Sequence, residues 1–305
     1  MTLNTSGPIS LGGTTAGQSI EIENGGNGTT QISLNDTAVR SLAGVPSGQI
    51  AMPTNFYGHS NTVYINLTIA ANTQNYNVWT SASANPAYVA GKSVVTVTIN
   101  PGIAVGSSST GTYAMSVPSA FNPTDTVTIV NNGYIVGAGG AGAAGSNGIG
   151  PANPGAAGAA GGSALYVARA TTVTNNGTIG SGGGGGGGGG NDGYWGGGGG
   201  GGGAGYNTGA GGGGGNSPYG YPGGGGGAGT LTTGGGAGAG GHAASPVGSG
   251  KGGAGGNLGA VGGAGSASGN PVHVPGGAGG GTGNYITGNS FVTWPATGTR
   301  LGGVA

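Results

Sequence analysis

Few residues in this chain could do chemistry. The imidazoles are His59, His242 and His273, spaced too widely for a local zinc motif. Cysteine is absent, which removes disulfides, thiolate nucleophiles and the common structural zinc sites. Asp36, Asp125 and Asp192 supply no neighbouring carboxylate pair of the kind glycosidic acid–base chemistry uses. Serines are plentiful, yet none stands in a nucleophile-elbow context. The tract 182–190 contains Gly-x-Gly-x-x-Gly only because it is unbroken glycine, and no amphipathic helix or downstream acidic residue accompanies it. Lys251 is followed by two glycines and not by the Ser or Thr that closes a phosphate-binding loop. The chain is therefore expected to be no enzyme, with no catalytic residue, cofactor or metal.

What remains is aromatic. Tyr194, Trp195, Tyr206, Tyr219 and Tyr221, with His242, stand where glycine tracts are interrupted by turn-forming residues. Tyrosine and tryptophan offer broad, rigid contact area with a polar tip, which suits them to binding surfaces. These six are the candidate receptor-binding residues. The competing reading is that they only cap the ends of glycine segments, and both stay open at this level. Tyr134, Tyr166, Phe291 and Trp294 flank strand-like runs and are expected to be structural.

The elements that must position them fall into unlike halves. Of 305 residues, 87 are glycine and only ten are charged, five basic and five acidic, against the quarter usual in globular domains. Too few basic side chains are present to neutralise phosphates, so nucleic acid is not expected as a partner. No apolar run is long enough to span a bilayer as a helix, so membrane insertion is not expected. Residues 1–6 have neither a basic segment nor an apolar core, so no secretory signal is expected there. An exposed protein without such a signal points to assembly in a host cytoplasm and release in a particle.

Up to about residue 136, β-branched runs recur between Gly, Pro and polar clusters: 19–23, 62–69, 93–99, 111–117 and 126–130. In 62–69 the period of two puts Val63, Ile65, Leu67 and Ile69 on one face, and in 93–99 it does the same for Val95, Val97 and Ile99. One or two helical turns are expected over 35–42, with Val39 and Leu42 on one side. The expected fold class is a mainly β amino-terminal region followed by a packed array of polyglycine-II helices, with very little α-helix. The expected division is an attachment segment at 1–60, a β-rich domain at 61–136, the glycine array at 137–283 and a capping tail of strands at 284–305.

A glycine-rich stretch reads first as a flexible linker. Three features favour order. Glycine recurs every third residue at 139–148 and 250–265, as one buried edge of a three-fold helix requires. Pure tracts at 182–190, 196–203, 211–215 and 223–227 read as central helices, where a Cβ would block close approach, and mixed tracts read as edges. Aromatic punctuation at 191–195, 206–208, 216–222 and 242–246 has no place in a spacer. A weak repeat pairs Thr126–Ile135 with Thr172–Ile179, each running from a strand through Asn-Asn-Gly, and 285–294 reads as a divergent third copy.

The segment 35–58, with its Ser-Leu-Asn-Asp-Thr-Ala-Val-Arg-Ser-Leu-Ala-Gly-Val run, resembles the start of many tailed-phage structural proteins. The glycine array is similar to that of distal tail-fibre adhesins of T-even-like phages. That resemblance implies a virion protein of the tail or tail fibre that joins other virion structural proteins through its amino-terminal region. It also implies loops between glycine helices that bind a host surface protein or polysaccharide. A purely architectural component of the tail tip, neck or capsid surface is the alternative.

Overall fold

The computed structural model describes residues 2–149, 151–242, 248–269 and 273–305. It falls into two compact units, Met1–Ile65 with Ala87–Val94 and Asn122–Asp125, and Asn66–Pro86 with Val95–Phe121 and Thr126–Ala305. Helix is confined to three short pieces, α1 (Ile20–Glu23), α2 (Thr37–Leu42) and α3 (Val78–Ser83), plus two single 3-10 turns, among the described residues.

The first unit has its own core of Leu3, Ile9, Ile20, Val39, Leu42 and Phe56. Val39 and Leu42 are the buried side of α2, as their spacing predicts. The run 19–23 is helical and not the strand its alternation suggests. Ser19 Oγ caps α1 by accepting from Ile22 N (3.3 Å). The two glutamates point inward, because loop backbone needs acceptors: Glu21 accepts from Asn27 N (3.1 Å) and Gly28 N, and Glu23 from Asn61 N (2.8 Å). Four residues of Ile-Glu-Ile-Glu satisfy either period, so capping and buried carboxylates decide the outcome.

The second unit is built on three five-stranded sheets. Strands β1 (Val63–Ile69), β4 (Ser93–Ile99), β7 (Thr126–Asn131), β10 (Thr171–Asn175) and β13 (Val292–Ala296) form one. Next come β2 (Thr73–Gln74), β5 (Ala104–Gly106), β8 (Tyr134–Val136), β11 (Thr178–Gly180) and β14 (Thr299–Leu301). The third holds β3 (Tyr76–Asn77), β6 (Met115–Val117), β9 (Leu165–Val167), β12 (Asn284–Thr287) and β15 (Gly303–Val304). Each sheet takes every third strand in order, and the pairings β2/β5, β5/β8, β8/β11, β11/β14, β6/β9 and β9/β12 are parallel. The chain therefore winds as a three-sided solenoid of five rungs, each rung giving one strand to each sheet. Val95, Val97 and Ile99 are buried, as the period of two predicts.

The Asn-Asn-Gly repeat is the corner between the first and second sheets. Asn131 and Asn175 stand in register and are fully buried, and Asn131 Nδ2 donates to Asn175 Oδ1 at 2.7 Å. Asn175 Nδ2 in turn donates to Thr297 O at 2.7 Å, so the ladder continues into the last rung. That rung, 292–304, is where the tail packs; its β13 and β14 flank Thr297-Gly298 in place of Asn-Asn-Gly.

The glycine-rich stretch leaves the solenoid at one corner, between the second and third sheets, on two consecutive rungs: 137–164 after β8 and 181–283 after β11. Its described residues run in ten extended segments, g1 (137–148), g2 (153–162), g3 (181–190), g4 (196–205), g5 (209–215), g6 (223–229), g7 (234–241), g8 (249–257), g9 (260–268) and g10 (274–283). Odd segments run away from the sheets and even ones return. Along g3 the backbone donors rotate through three neighbours: Gly183 N to Ala204 O, Gly184 N to Ala260 O, Gly185 N to Ala159 O, then Gly186 N back to Gly201 O. The acceptors rotate likewise, taking bonds from Gly140, Gly256 and Gly280 N at Gly183, Gly184 and Gly185 O. Segment g3 is thus ringed by g1, g2, g4, g8, g9 and g10, and g4 in the same way by g1, g3, g5, g6, g7 and g8. Every backbone polar group in these two buried segments needs such a partner.

Six neighbours leave no room for side chains. A Cβ on Gly185, Gly186 or Gly187 would stand under 3.0 Å from the carbonyl oxygen of Ala141, Gly253 or Gly277. The pure tracts 182–190 and 196–203 are these two central segments. The tracts 211–215 and 223–227, expected in the centre, lie on the perimeter instead, where a Cβ on Gly213 would meet nothing within 4 Å. The perimeter spends one position in three on solvent, as at Lys251, Ala254 and Asn257 of g8. The three-residue glycine register at 250–265 covers two antiparallel segments, g8 and g9, joined by a turn in which Gly259 takes φ +70°.

Candidate functional site

Alternation of outgoing and returning segments sorts the connections into two sets. The described residues 149, 151–152, 191–195, 216–222, 242, 248, 269 and 273 lie at the far end from the sheets, and 206–208, 230–233 and 257–259 lie next to them. Of the 242–246 interruption only His242 is among the described residues; 243–246 lie outside them.

Five of the six candidate residues meet at the far end. Trp195 stacks on His242 with centroids 4.9 Å apart and planes at 14°, and Tyr221 meets the same imidazole edge-on at 4.7 Å. Tyr194 touches Trp195 at 6.4 Å and Tyr219 at 5.6 Å. The five rings form one run in the order Tyr219, Tyr194, Trp195, His242, Tyr221. Tyr194, Tyr219 and Tyr221 are 57%, 61% and 49% exposed, and Trp195 and His242 are half-buried. His242 holds φ +53°, a conformation few non-glycine residues adopt and one that concentrates at functional sites.

The sixth candidate is elsewhere. Tyr206 sits at the sheet end, packed against Val136, Ala204 and Leu258. Its ring fills the space over Gly106 of β5, where a Cβ would collide with it. Sequence spacing could not separate it from the others, because each stands in a polar break between glycine tracts. Tyr206→Ala is expected to lower stability by about 2 kcal/mol, the cost of truncating a half-buried aromatic, while ligand binding at the far end stays unchanged. Thermal unfolding alongside a binding assay checks both halves.

Polar residues that sequence reasoning passed over hold the far end together. Asn191 is fully buried; its Oδ1 accepts from Asn153 N (2.8 Å) and Gly193 N (3.1 Å), and its Nδ2 donates to Asn147 O. It therefore ties the ends of g1, g2 and g3. Asp192 is buried too, and its Oδ1 accepts from Tyr194 N (2.9 Å) and Trp195 N (3.0 Å), fixing the turn that carries both rings. Asn147 Oδ1 accepts from Asn216 N (2.9 Å), and Ser217 Oγ donates to Tyr194 O (2.8 Å), joining the third loop. The signal available was the Asn-Asp-Gly turn at 191–193, which marks a bend but not which loops it would bind.

The arrangement is a run of five aromatic rings on hydrogen-bonded turns at one end of a backbone-bonded array. Among the described residues no group of three or more His, Cys, Asp or Glu side chains could hold a metal ion. No helix there is long and apolar enough to cross a membrane.

The sequence profile of the family described as "Phage tail fibre adhesin Gp38" matches residues 64–305. Among solved structures, the crystal structure of the gp37-gp38 adhesin tip complex of the bacteriophage S16 long tail fiber is similar to the chain. The identity is 23%, the TM-score 0.49, and the match covers 97% of this chain and 100% of that one. No curated protein matches the chain.

Proposed function

We propose, on the premise that the chain belongs to the phage tail fibre adhesin Gp38 family, that it meets the host through the far end of its glycine array. The chain is a structural protein of the virion tail fibre with a host-binding role. The finer reading assigns that role to Tyr194, Trp195, Tyr219, Tyr221 and His242. The observation that carries it is their convergence, from three separate connections, on one end of the unit. Aromatics that served only as local caps would each sit over their own segment.

The array itself we read as polyglycine-II helices. The support is the rotation of hydrogen-bond partners with a period of three residues along g3 and g4, which matches three residues per turn. Segments of about ten residues at ~3.1 Å rise would hold the loops roughly 30 Å from the sheets. The part played by 1–60, and by the strands of 61–136 and 284–305, is to join other tail-fibre proteins. The family match begins at residue 64, and the first unit has a hydrophobic core of its own. Adhesion, not catalysis, is the activity this site supports: Asp192 is its acidic residue, and its carboxylate is held by the turn.

The experiment is decoration of host cells by the labelled full-length chain. Trp195→Ala is expected to lower cell binding about tenfold or more, the effect of losing a hot-spot aromatic, with hydrogen exchange in the strands unchanged. Unchanged decoration would return the function to the architectural alternative.

A further inference from the structure

The last rung of the solenoid is an open end. Strands β13, β14 and β15 each have a neighbouring strand on one side only, among the described residues. Two columns of side chains run through the rungs to reach it. Val105, Ile135 and Ile179 stand in register and are fully buried, and the next position in their column is Arg300. Met115, Leu165 and Ile286 do the same, and the next position is Val304. Arg300 is exposed there and Val304 is 53% exposed, while Phe291, just before β13, is 48% exposed.

Arg300 is held in place at this end. Its guanidinium lies 5.1 Å from the centre of the Trp294 ring and 5.6 Å from that of Tyr285. Trp294 is fixed in turn, because its Nε1 donates to Asn289 Oδ1 at 3.0 Å. Two ring faces orient a guanidinium and leave its N–H edge for a planar acceptor. Among the described residues the side chain has these two ring contacts and no ion pair. A second copy docked end to end would not supply the acceptor. Residues 284–305 hold no Asp or Glu, and Glu21, Glu23, Asp125 and Asp192 are buried, so two such ends would set Arg300 against Arg300.

An oriented arginine beside exposed apolar side chains has the composition of a binding hot spot. The strand edges beside it are a template for a further strand. Pro295 takes a donor from the edge of β13, whereas β14, which carries Arg300, contains no proline. We infer that the last rung is the docking face for another protein of the tail fibre, which lays a strand along β14 and sets an Asp or Glu on Arg300. This rests on the reading that 284–305 joins the chain to other tail-fibre proteins. The carboxylate meets the guanidinium edge in two parallel bonds, and the partner covers Val304 and Phe291.

The test adds labelled full-length chain to virions that lack it and measures incorporation after the free protein is removed. Arg300→Met keeps an unbranched apolar stem over Trp294 and removes the charge. It is expected to lower incorporation about tenfold. Arg300→Glu repels the partner's carboxylate and is expected to lower it about a hundredfold. Hydrogen exchange in β7, β8, β10 and β11 is expected to match the wild type in both variants, which reports an intact fold. Wild-type incorporation of both would overturn the carboxylate partner. Phe291→Ser with Val304→Ser then separates that failure from failure of the reading beneath it. Loss of incorporation in this pair would leave 284–305 as a joining surface, and unchanged incorporation would remove that reading as well. Self-association of the wild-type chain that Arg300→Glu abolishes would overturn the tail-fibre partner and put a second copy in its place.

Discussion

Gly186→Ala is expected to be among the most damaging single-methyl changes in this chain. Gly186 donates to Gly201 O (2.7 Å) and accepts from Ala143 N (2.9 Å), so its own position is fixed from two sides. The new Cβ would stand under 3.0 Å from Gly253 O on a third side. Backbone cannot rotate out of the way as a side chain can, so g8 would have to move off g3. The bonds from Gly253 N to Gly187 O and from Gly256 N to Gly184 O would be stretched with it. Overpacking typically costs about 1–3 kcal/mol, and strained buried hydrogen bonds add about 1 kcal/mol each. A loss of about 3 kcal/mol or more is expected, read as a lower melting temperature and as protease cleavage within 181–283. Gly213→Ala is the matched control. Its Cβ would meet nothing within 4 Å, and trading glycine for alanine there reduces the freedom of the unfolded chain. Its stability is expected to match or slightly exceed the wild type. Equal effects of the two substitutions would contradict the central and perimeter assignment.

Asn191→Ala is expected to disable the binding end without unfolding the scaffold. The amide serves three backbone groups on two connections, Asn153 N and Asn147 O flanking one and Gly193 N in the other, in a place closed to water. Each buried group left without its partner costs about 1–3 kcal/mol, so the loops around 147–153 and 191–195 are expected to open. Tyr194 and Trp195 follow directly after the turn at 191–193, and their ring positions depend on it. Cell binding is expected to fall about a hundredfold, since about 2.7 kcal/mol of preorganisation is at stake. Hydrogen exchange should speed up at 147–153 and 191–195 and remain unchanged in the strands. If exchange rises equally in β7, β8, β10 and β11, Asn191 is a stability residue for the whole unit and not a local clamp.

Much of this architecture is written in local features. A three-residue glycine register marks a face in backbone contact, and the unbroken tracts 182–190 and 196–203 mark segments contacted all round, because only glycine tolerates that approach. The repeated Asn-Asn-Gly marks stacked corners, and the period of two in 93–99 marks a buried face. These can be read from the chain because each depends on a residue and its immediate backbone environment.

The remainder depends on where distant segments return. Tracts 211–215 and 223–227 look as central as the other two, but solvent, not a further segment, covers Gly213. Residues 19–23 fit a strand and a helix equally until loops arrive needing the carboxylates of Glu21 and Glu23. The tail 284–305 forms four strands because the open edges of β9, β10 and β11 are waiting for it.

The candidate residues divide along the same line. That aromatics interrupt the glycine tracts is legible in the chain alone, since it is a matter of composition and spacing. Only the tertiary structure decided that five of these rings share one end while Tyr206 packs over Gly106 at the other, with Asn191 as the clamp. The reason is physical: every break between glycine tracts looks alike along the chain. Which end of the array a break reaches is set by the number of reversals before it, and by the long-range backbone hydrogen bonds that hold each segment in its direction.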